Sequence, residues 1–290
     1  MRKFKIIVLA KQVPDTRNVG KDAMKADGTV NRSVLPAIFN PEDLHALEQA
    51  LVIKDKFPGT TITLLTMGPV RAAEILREGF YRGADDGILL TDRSFAGSDT
   101  LATSYALACT IKKIKDFDII VCGRQAIDGD TAQVGPQVAE KLGLPQVTYA
   151  EEIISVTEKK IRIKRRLERG VEVVECPLPL LVTVNSSAPA CRPRNAKLLM
   201  KYKHANTLSK RQENTDDYMA GGEDSYLTIK EWSVNDIVCD REQLGLGGSP
   251  TKVKKVDNIV FQSKESKRIE DLDEDINSLM KELITSHIVG

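Results

Sequence analysis

"FDIIVCGRQAIDGDTAQVGPQVAEKLG", residues 117–143, decides the reading of this 290-residue chain. Its opening "FDIIV" is a short continuous apolar run, the mark of a strand buried on both faces. Its closing "QVAEKLG" has helical spacing and ends on glycine. Between them lies "CGRQAIDGDTAQVGP", residues 122–136, with three glycines, three charged side chains and no histidine. A strand, a glycine-rich turn and a helix make the unit of a parallel α/β sheet. Open sheets of that kind bind ligands beyond the carboxyl ends of their strands.

Several local features of this turn point to a ligand seat. Asp130 can accept the amide of the third following residue and Gln133 can reach back, as in a capping box. Gly129 permits a left-handed backbone beside it. The free amides of the first helical turn, with the Thr131 hydroxyl, offer a seat for phosphate. Pro136 either kinks the helix or opens a fresh one with Gly135 as its cap. The stretch is neither a P-loop, since no GK[ST] ends it, nor a dinucleotide GxGxxG. An ordinary capped helix after a turn accounts for the same residues, so both readings stand at this point.

Upstream, the same grammar repeats. "FKIIVLA" (4–10), "TITLLTMG" (61–68) and "DGILLTD" (86–92) have the length of buried strands. "PEDLHALEQALVIKDKF" (41–57), "PVRAAEILREGFYRGA" (69–84) and "TLATSYALACTIKKI" (100–114) have helical spacing, with Leu44, Leu47, Ala50, Leu51 and Ile53 on one stripe of the first. The alternation predicts an α/β fold with a mostly parallel sheet covered on both faces. Each strand end carries small polar residues and a fresh helix start. Lys11 follows the first strand. Asn40 precedes Pro41 as a helix cap, with Asp43 as a possible ligand contact. Gly68 and Pro69 follow Thr66 and Met67, and Asp99 or Ser98 caps a helix bearing Thr100 and Thr103. Together they line one sheet edge with donors suited to a phosphorylated, adenine-type ligand.

Past residue 150 the pattern changes. "KIRIKR" and "GVEVVE" alternate apolar and polar residues as half-buried antiparallel strands do, joined by turns at "TEKK" and "ERG", and "LPLLVTV" (178–184) rejoins the sheet. From 186 to 262 helical and strand signals fade, which predicts an extended arm or long loop. A C-terminal amphipathic helix follows within 263–290, its stripe made by Ile269, Leu272, Ile276, Leu279, Met280, Leu283 and Ile284.

Composition excludes several classes. A formal net charge of +1 gives no global case for nucleic acid, and no apolar run reaches membrane-spanning length. Five cysteines without CxxC spacing, and no signal segment in "MRKFKIIVLAKQVPD", favour reduced thiols in a cytoplasm. His45, His204 and His287 are too scattered for a metal site. No GxSxG or Cys–His pair appears, so no catalytic residue is assigned. A site with phosphate donors and no acid or base suits a held cofactor that carries the chemistry itself.

Taken together, "AKQVPD", "NPEDLHALEQAL", "TMGP", "GADD", "DRSFAGSDTLATS", "CGRQAIDGDTAQVGPQVAEKLGLPQVTYA" and "GGSPTKV" resemble the beta subunit of an electron-transfer flavoprotein, over essentially the whole chain. The stretch from Cys122 to Gly135 is that family's signature, and "RQAIDGDTAQVGP" with "DRSFAGSDTLATS" is most similar to the electron-bifurcating type. The resemblance implies a Rossmann-like, doubly wound, adenine-nucleotide-binding domain over 1–185 with a β-hairpin insertion. An arm over 186–262 would carry a partner-recognition loop, and the helix in 263–290 would dock on the alpha subunit. It implies AMP in the ordinary type and FAD in the bifurcating type. In the latter, NADH delivers hydride, one electron passes to ferredoxin or flavodoxin, and the other passes to the alpha-subunit FAD and a flavin dehydrogenase.

Carried over by position, the cofactor site comprises Ala10, Lys11, Asn40, Asp43, Thr66, Met67, Thr100 and Thr103. Cys122, Gly123, Arg124, Gln125, Asp128, Gly129, Asp130, Thr131, Ala132, Gln133, Val134 and Gly135 complete it. Partner recognition falls to Arg194, Leu198, Leu199 and Met200. Here the sequence departs from the family. Members linked to acyl-CoA dehydrogenases carry a "DLR"-like start and a leucine anchor, where this chain has "NSSAPACRPRNAKLLMKYK". That departure favours a 2-hydroxy-acid (lactate-type) dehydrogenase, with an acyl-CoA dehydrogenase as second choice. Two other classes remain in competition: a stand-alone ATP-using ligase or adenylyltransferase, and a stress-type nucleotide-binding module.

Overall fold

Each of the four N-terminal apolar runs becomes a central strand. In chain order the elements are β1 (Lys5–Leu9), β2 (Gln12–Pro14), β3 (Ala37–Phe39), α1 (Pro41–Lys56), β4 (Thr61–Met67), α2 (Ala73–Phe80), β5 (Asp86–Leu90), α3 (Thr100–Ile114), β6 (Ile119–Gly123) and α4 (Val134–Leu142). Then follow β7 (Gln146–Val156), β8 (Lys160–Leu167), β9 (Gly170–Pro177), β10 (Leu180–Val184), α5 (Ala196–Tyr202), β11 (Asn206–Thr207), α6 (Leu208–Glu213), β12 (Thr228–Trp232) and α7 (Asp273–Thr285). This computed structural model describes residues 2–15, 36–213, 225–252, 266, 268–270 and 272–289.

The main sheet has ten strands in the order β11-β12-β5-β4-β1-β6-β10-β7-β8-β9. Pairing is parallel from β11 through β7, and antiparallel for β7 with β8 and β8 with β9. The strands are covered on both faces because their side chains alternate between two cores. Ile6, Val8, Leu64 and Val121 pack with α1 and α2 residues such as Leu47 and Leu76. Ile7, Leu9, Leu65 and Ile120 pack with Leu107 and Ile111 of α3 and Val138 of α4. Each fully buried aliphatic side chain contributes roughly 1.5–3 kcal/mol. The result is the doubly wound α/β arrangement expected from the sequence.

From β1 the chain winds one way to β4 and β5, then crosses back to β6 on the other side of β1. That reversal makes the carboxyl ends of β1 and β6 a topological switch point, the place where such sheets form a crevice for ligands. The β7–β8–β9 meander is the hairpin insertion. Ile161 and Ile163 face inward opposite Cys176 and Val174, which leaves Val171 and Val173 on the outer side, each 51% exposed.

Residues 186–262 depart from the expected arm. Within 225–252 and 186–213 the chain supplies α5, β11, α6 and β12, and β12 adds in parallel to β5. After β10 the chain runs back across the α1–α2 face to the opposite sheet edge. His45 Nδ1 lies 2.8 Å from the Pro189 carbonyl, Arg192 pairs with Glu48 and Asp55, and Asn195 N–H donates to the Tyr81 carbonyl. Strand character at β12 comes from pairing with β5, and at β11 from pairing with β12, not from their own polar sequences. Positions 214–224 and 253–262 of the expected arm lie outside the described residues.

α7 forms as expected, with Asp273, Glu274 and Asp275 in its first turn, where they complement the helix dipole. None of its residues is buried. Leu272, Ile276, Met280 and Ile284 are all exposed along one stripe. Among the described residues no helix is long and apolar enough to cross a membrane.

Candidate nucleotide site

The crevice is built by the first turn of α1. Asn40 is fully buried, and its side chain does not cap α1. Instead its Nδ2 donates to the Gln125 carbonyl at 2.9 Å, and its Oδ1 accepts the Ile127 N–H at 3.2 Å. Glu42 accepts the Gln125 N–H and pairs with the Arg124 guanidinium at 3.1 Å. Asp43 accepts the Lys11 N–H through one oxygen and the Gly123 N–H through the other, each at 2.9 Å. Three side chains of one helical turn therefore hold the ends of β1 and β6 and the start of the 122–135 loop.

This arrangement leaves distinct electrostatics. Burial pushes the Asp43 carboxyl up to about 7, against the pull of its two backbone donors. Burial also pushes the Cys122 thiol up, so it is inert as a nucleophile. The Glu42 carboxylate holds the Arg124 guanidinium firmly protonated. Across the crevice mouth, Lys11 Nζ bridges both Asp128 oxygens at 2.7 and 2.8 Å.

The loop itself differs from the expected capping box. Asp130 caps nothing in α4; it accepts Gln125 Nε2 at 2.7 Å. The left-handed residues are Asp130 (φ 47°) and Ala132 (φ 53°), not Gly129. These two turns keep the chain out of a helix until Val134, so α4 opens there and not at Thr131. Pro136 falls on the third helical residue, where its missing N–H breaks no helical bond, so there is neither a kink nor a fresh start. Gly135 serves close packing. A Cβ there would meet Thr183 Cγ2 at 2.8 Å and Cys122 Sγ at 2.9 Å.

The parallel strands bring most expected residues to one edge. Ala10, Lys11, Thr66, Met67 and the 122–135 loop share it. The start of α3 joins them, since Thr100 Oγ1 donates to Gln133 Oε1 at 2.8 Å; Thr103 lies on the next turn. Asp99, not Ser98, caps α3 through the Leu101 and Ala102 amides. Arg194, Leu198, Leu199 and Met200 lie apart from this edge, in the segment crossing α1 and α2. Arg194 pairs with Glu78, Leu198 packs against the core, and Met200 is 62% exposed. Sequence reasoning missed Glu42, whose place in a helix's first turn looks like an ordinary dipole charge.

The residues fit a nucleotide. The α4 N-terminus has no side-chain cap, and two left-handed residues, Asp130 and Ala132, precede it, so its first-turn amides offer donors of the kind anions take. Thr66 Oγ1 is buried at the end of β4 and has no hydrogen-bond partner among the described residues. Gly129 has open space around it, so a ligand can approach the backbone closely. Among the described residues no group of three His, Cys, Asp or Glu side chains is placed to hold a metal ion.

Residues 27–208 match the family model described as "Electron transfer flavoprotein domain". The electron transfer flavoprotein subunit beta of Clostridium acetobutylicum is 46% identical over 250 residues, covering 86% of each chain. Subunit CarD of the caffeyl-CoA reductase-Etf complex of Acetobacterium woodii is 44% identical over 253 residues, again with 86% of each covered. The acryloyl-CoA reductase electron transfer subunit gamma of Anaerotignum propionicum is 40% identical over 280 residues, covering 93% of this chain and 96% of its own. The chain therefore belongs to the electron transfer flavoprotein family, among its beta subunits.

Proposed function

We propose that this chain is the beta subunit of an electron-bifurcating flavoprotein and holds FAD in the β1/β6 crevice. The observation that carries the reading is the uncapped α4 N-terminus behind two left-handed turns. The amides of Val134 and Gly135 would hold the diphosphate, the strand-end residues Ala10, Thr66 and Met67 would hold the adenosine end, and Lys11 would offer its charge to a phosphate. When bound, FAD supplies the acceptor for hydride from NADH and the exit for single electrons. The chain would contribute binding and orientation, leaving the redox chemistry to the cofactor.

The exposed stripe of α7 docks on the alpha subunit, since an apolar helical face of this size calls for cover. The electrons would pass on to ferredoxin or flavodoxin and to the alpha subunit, the partners this reading names. The partner-recognition surface is the pinned segment around Arg194 and α5, with Met200 as its protruding side chain. The sequence of that segment favours a 2-hydroxy-acid dehydrogenase as partner. The names of the two CoA-thioester reductase relatives favour the second reading, an acyl-CoA-type dehydrogenase. The cytoplasm remains the compartment proposed.

Cofactor analysis of the purified alpha–beta complex tests the reading. Two flavins per pair are expected, with ferredoxin reduction by NADH only when the dehydrogenase's acceptor is present. One FAD with one AMP would place the chain in the ordinary type and refute bifurcation. Co-purification from the native host identifies the dehydrogenase.

A further inference from the structure

A polar cavity of about 480 Å³ lies at the far end of α1 from the nucleotide crevice, between α1, the end of α2 and the segment entering α5. From Asp43 to Lys54 the separation is roughly 17 Å along the helix, at about 1.5 Å per residue. The volume falls within the roughly 300–1,000 Å³ of small-ligand sites. The lining carries four cations, Lys54, Arg82, Arg192 and Arg194, against one carboxylate, Asp55.

Acidic side chains behind the lining decide which of these charges is free for a ligand. Lys54 Nζ is taken by Asp85 and by the Gly83 carbonyl. Arg192 is held by two carboxylates, Glu48 and Asp55, at 2.9 and 2.8 Å. Arg82 and Arg194 differ, because both turn to the same carboxylate, Glu78. Two guanidiniums on one carboxylate leave a surplus positive charge on that side of the cavity. Donors are in excess there too. Arg194 reaches Glu78 through Nε, at 2.8 and 3.0 Å, which leaves its two terminal nitrogens outside the pair. Arg82 reaches it through Nη1, and the buried Arg82 Nε has no hydrogen-bond partner among the described residues. The Arg82 side chain is 12% exposed and that of Arg194 55%, so the first is a fixed wall and the second meets an entering anion. Paired guanidinium forks match the oxygens of a phosphate or carboxylate bidentately, as lysine does not.

The geometry points to an oxyanion site in this cavity, with the phosphate or carboxylate of a small phosphate ester or organic acid seated between Arg82 and Arg194. Leu51 and Leu198, also in the wall, face the ligand's short carbon body. Bound there, the ligand ties the end of α2 to the segment entering α5, away from the cofactor, as an effector does. The seat depends neither on the nucleotide in the crevice nor on the identity of the dehydrogenase, so it stands or falls apart from the reading above.

Calorimetric titration and thermal melting of the purified alpha–beta complex test it. The probes are inorganic phosphate, glycerol phosphate and malonate, each against sodium chloride at matched ionic strength. The wild type is expected to bind at least one of them saturably and to melt higher in it than in chloride. A stronger response to the two phosphates names a phosphate ester as the ligand class, and a stronger response to malonate names a carboxylic acid. Arg194→Gln removes an exposed guanidinium and is expected to weaken that binding by about tenfold or more, the scale of one charge-assisted contact. Arg169→Gln, an exposed cation on the turn between β8 and β9, is expected to bind as the wild type does. No saturable binding above chloride in the wild type overturns the inference. Equal affinity in Arg194→Gln and the wild type overturns it as well, and so does an equal loss in Arg169→Gln, which marks a general effect of charge.

Discussion

Asp43→Asn isolates the central tension in the crevice. Both carboxylate oxygens of Asp43 accept backbone amides at 2.9 Å, which favours the charged form. Burial opposes it and wins, raising the carboxyl from 3.8 to about 7. A raised carboxylate pKa means that the folded state binds a proton that the unfolded state has lost. Stability from this group is therefore fully present below about pH 4 and declines as pH rises toward 7. At 1.36 kcal/mol per unit, the decline between pH 5 and pH 7 is roughly 2 kcal/mol. Asparagine is neutral at every pH and presents one oxygen and one NH₂ to the two amides, much as protonated aspartic acid presents one oxygen and one OH. Urea unfolding of both proteins at pH 5, 6, 7 and 8 reads the difference. The wild type is expected to lose stability relative to Asp43→Asn across pH 5 to 7, with the gap then constant. Parallel profiles over the whole range would refute the reasoning, since the two amides would then outweigh burial and keep Asp43 ionised throughout.

Asn40→Ala orphans the half-buried Gln125 carbonyl and Ile127 N–H; it is expected to destabilise by about 1–3 kcal/mol in urea and to lower nucleotide retention on gel filtration. Gly135→Ala drives a Cβ to 2.8 Å from Thr183 Cγ2, with an expected loss of about 1–3 kcal/mol and a lower melting temperature. Thr66→Val removes a fully buried hydroxyl that has no partner among the described residues. The free protein is expected to melt at the same or a higher temperature, while dialysis removes more of its nucleotide. Ile276→Asp on the exposed stripe of α7 is expected to leave unfolding of the isolated chain unchanged and to weaken association with the alpha subunit on gel filtration.

The sequence carried the central sheet because β1, β4, β5 and β6 are continuous apolar runs, a signal that survives without tertiary context. Their bounds fall within about two residues of those expected. β12 was hidden for the opposite reason. "TIKEW" is short and half polar, and it becomes a strand because the β5 edge offers unpaired backbone groups. The inward face of β9 was also hidden. Its alternation is visible in sequence, but the β8 register, not the pattern alone, decides that Val174 and Cys176 point inward.

The loop "CGRQAIDGDTAQVGP" was legible as a strand-end turn, and its location followed from the parallel sheet. Its internal geometry was not, because what fixes it lies more than 80 residues upstream. A capping box between Asp130 and Gln133 is what local chemistry favours. That box does not form: Asn40 and Glu42 take the Ile127 and Gln125 amides, and the turns at Asp130 and Ala132 delay the helix to Val134. The delay has a consequence for binding. A capping box would have satisfied the first-turn amides with the protein's own side chains, leaving an anion little to bind. Because the upstream turn holds the loop from outside, the first-turn donors of α4 stay uncapped for a ligand. "NPEDL" and "DGDTAQVG" thus act as a single unit, one segment supplying the framework and the other the open amides. A substitution in α1 is expected to shift nucleotide affinity as strongly as one in the loop.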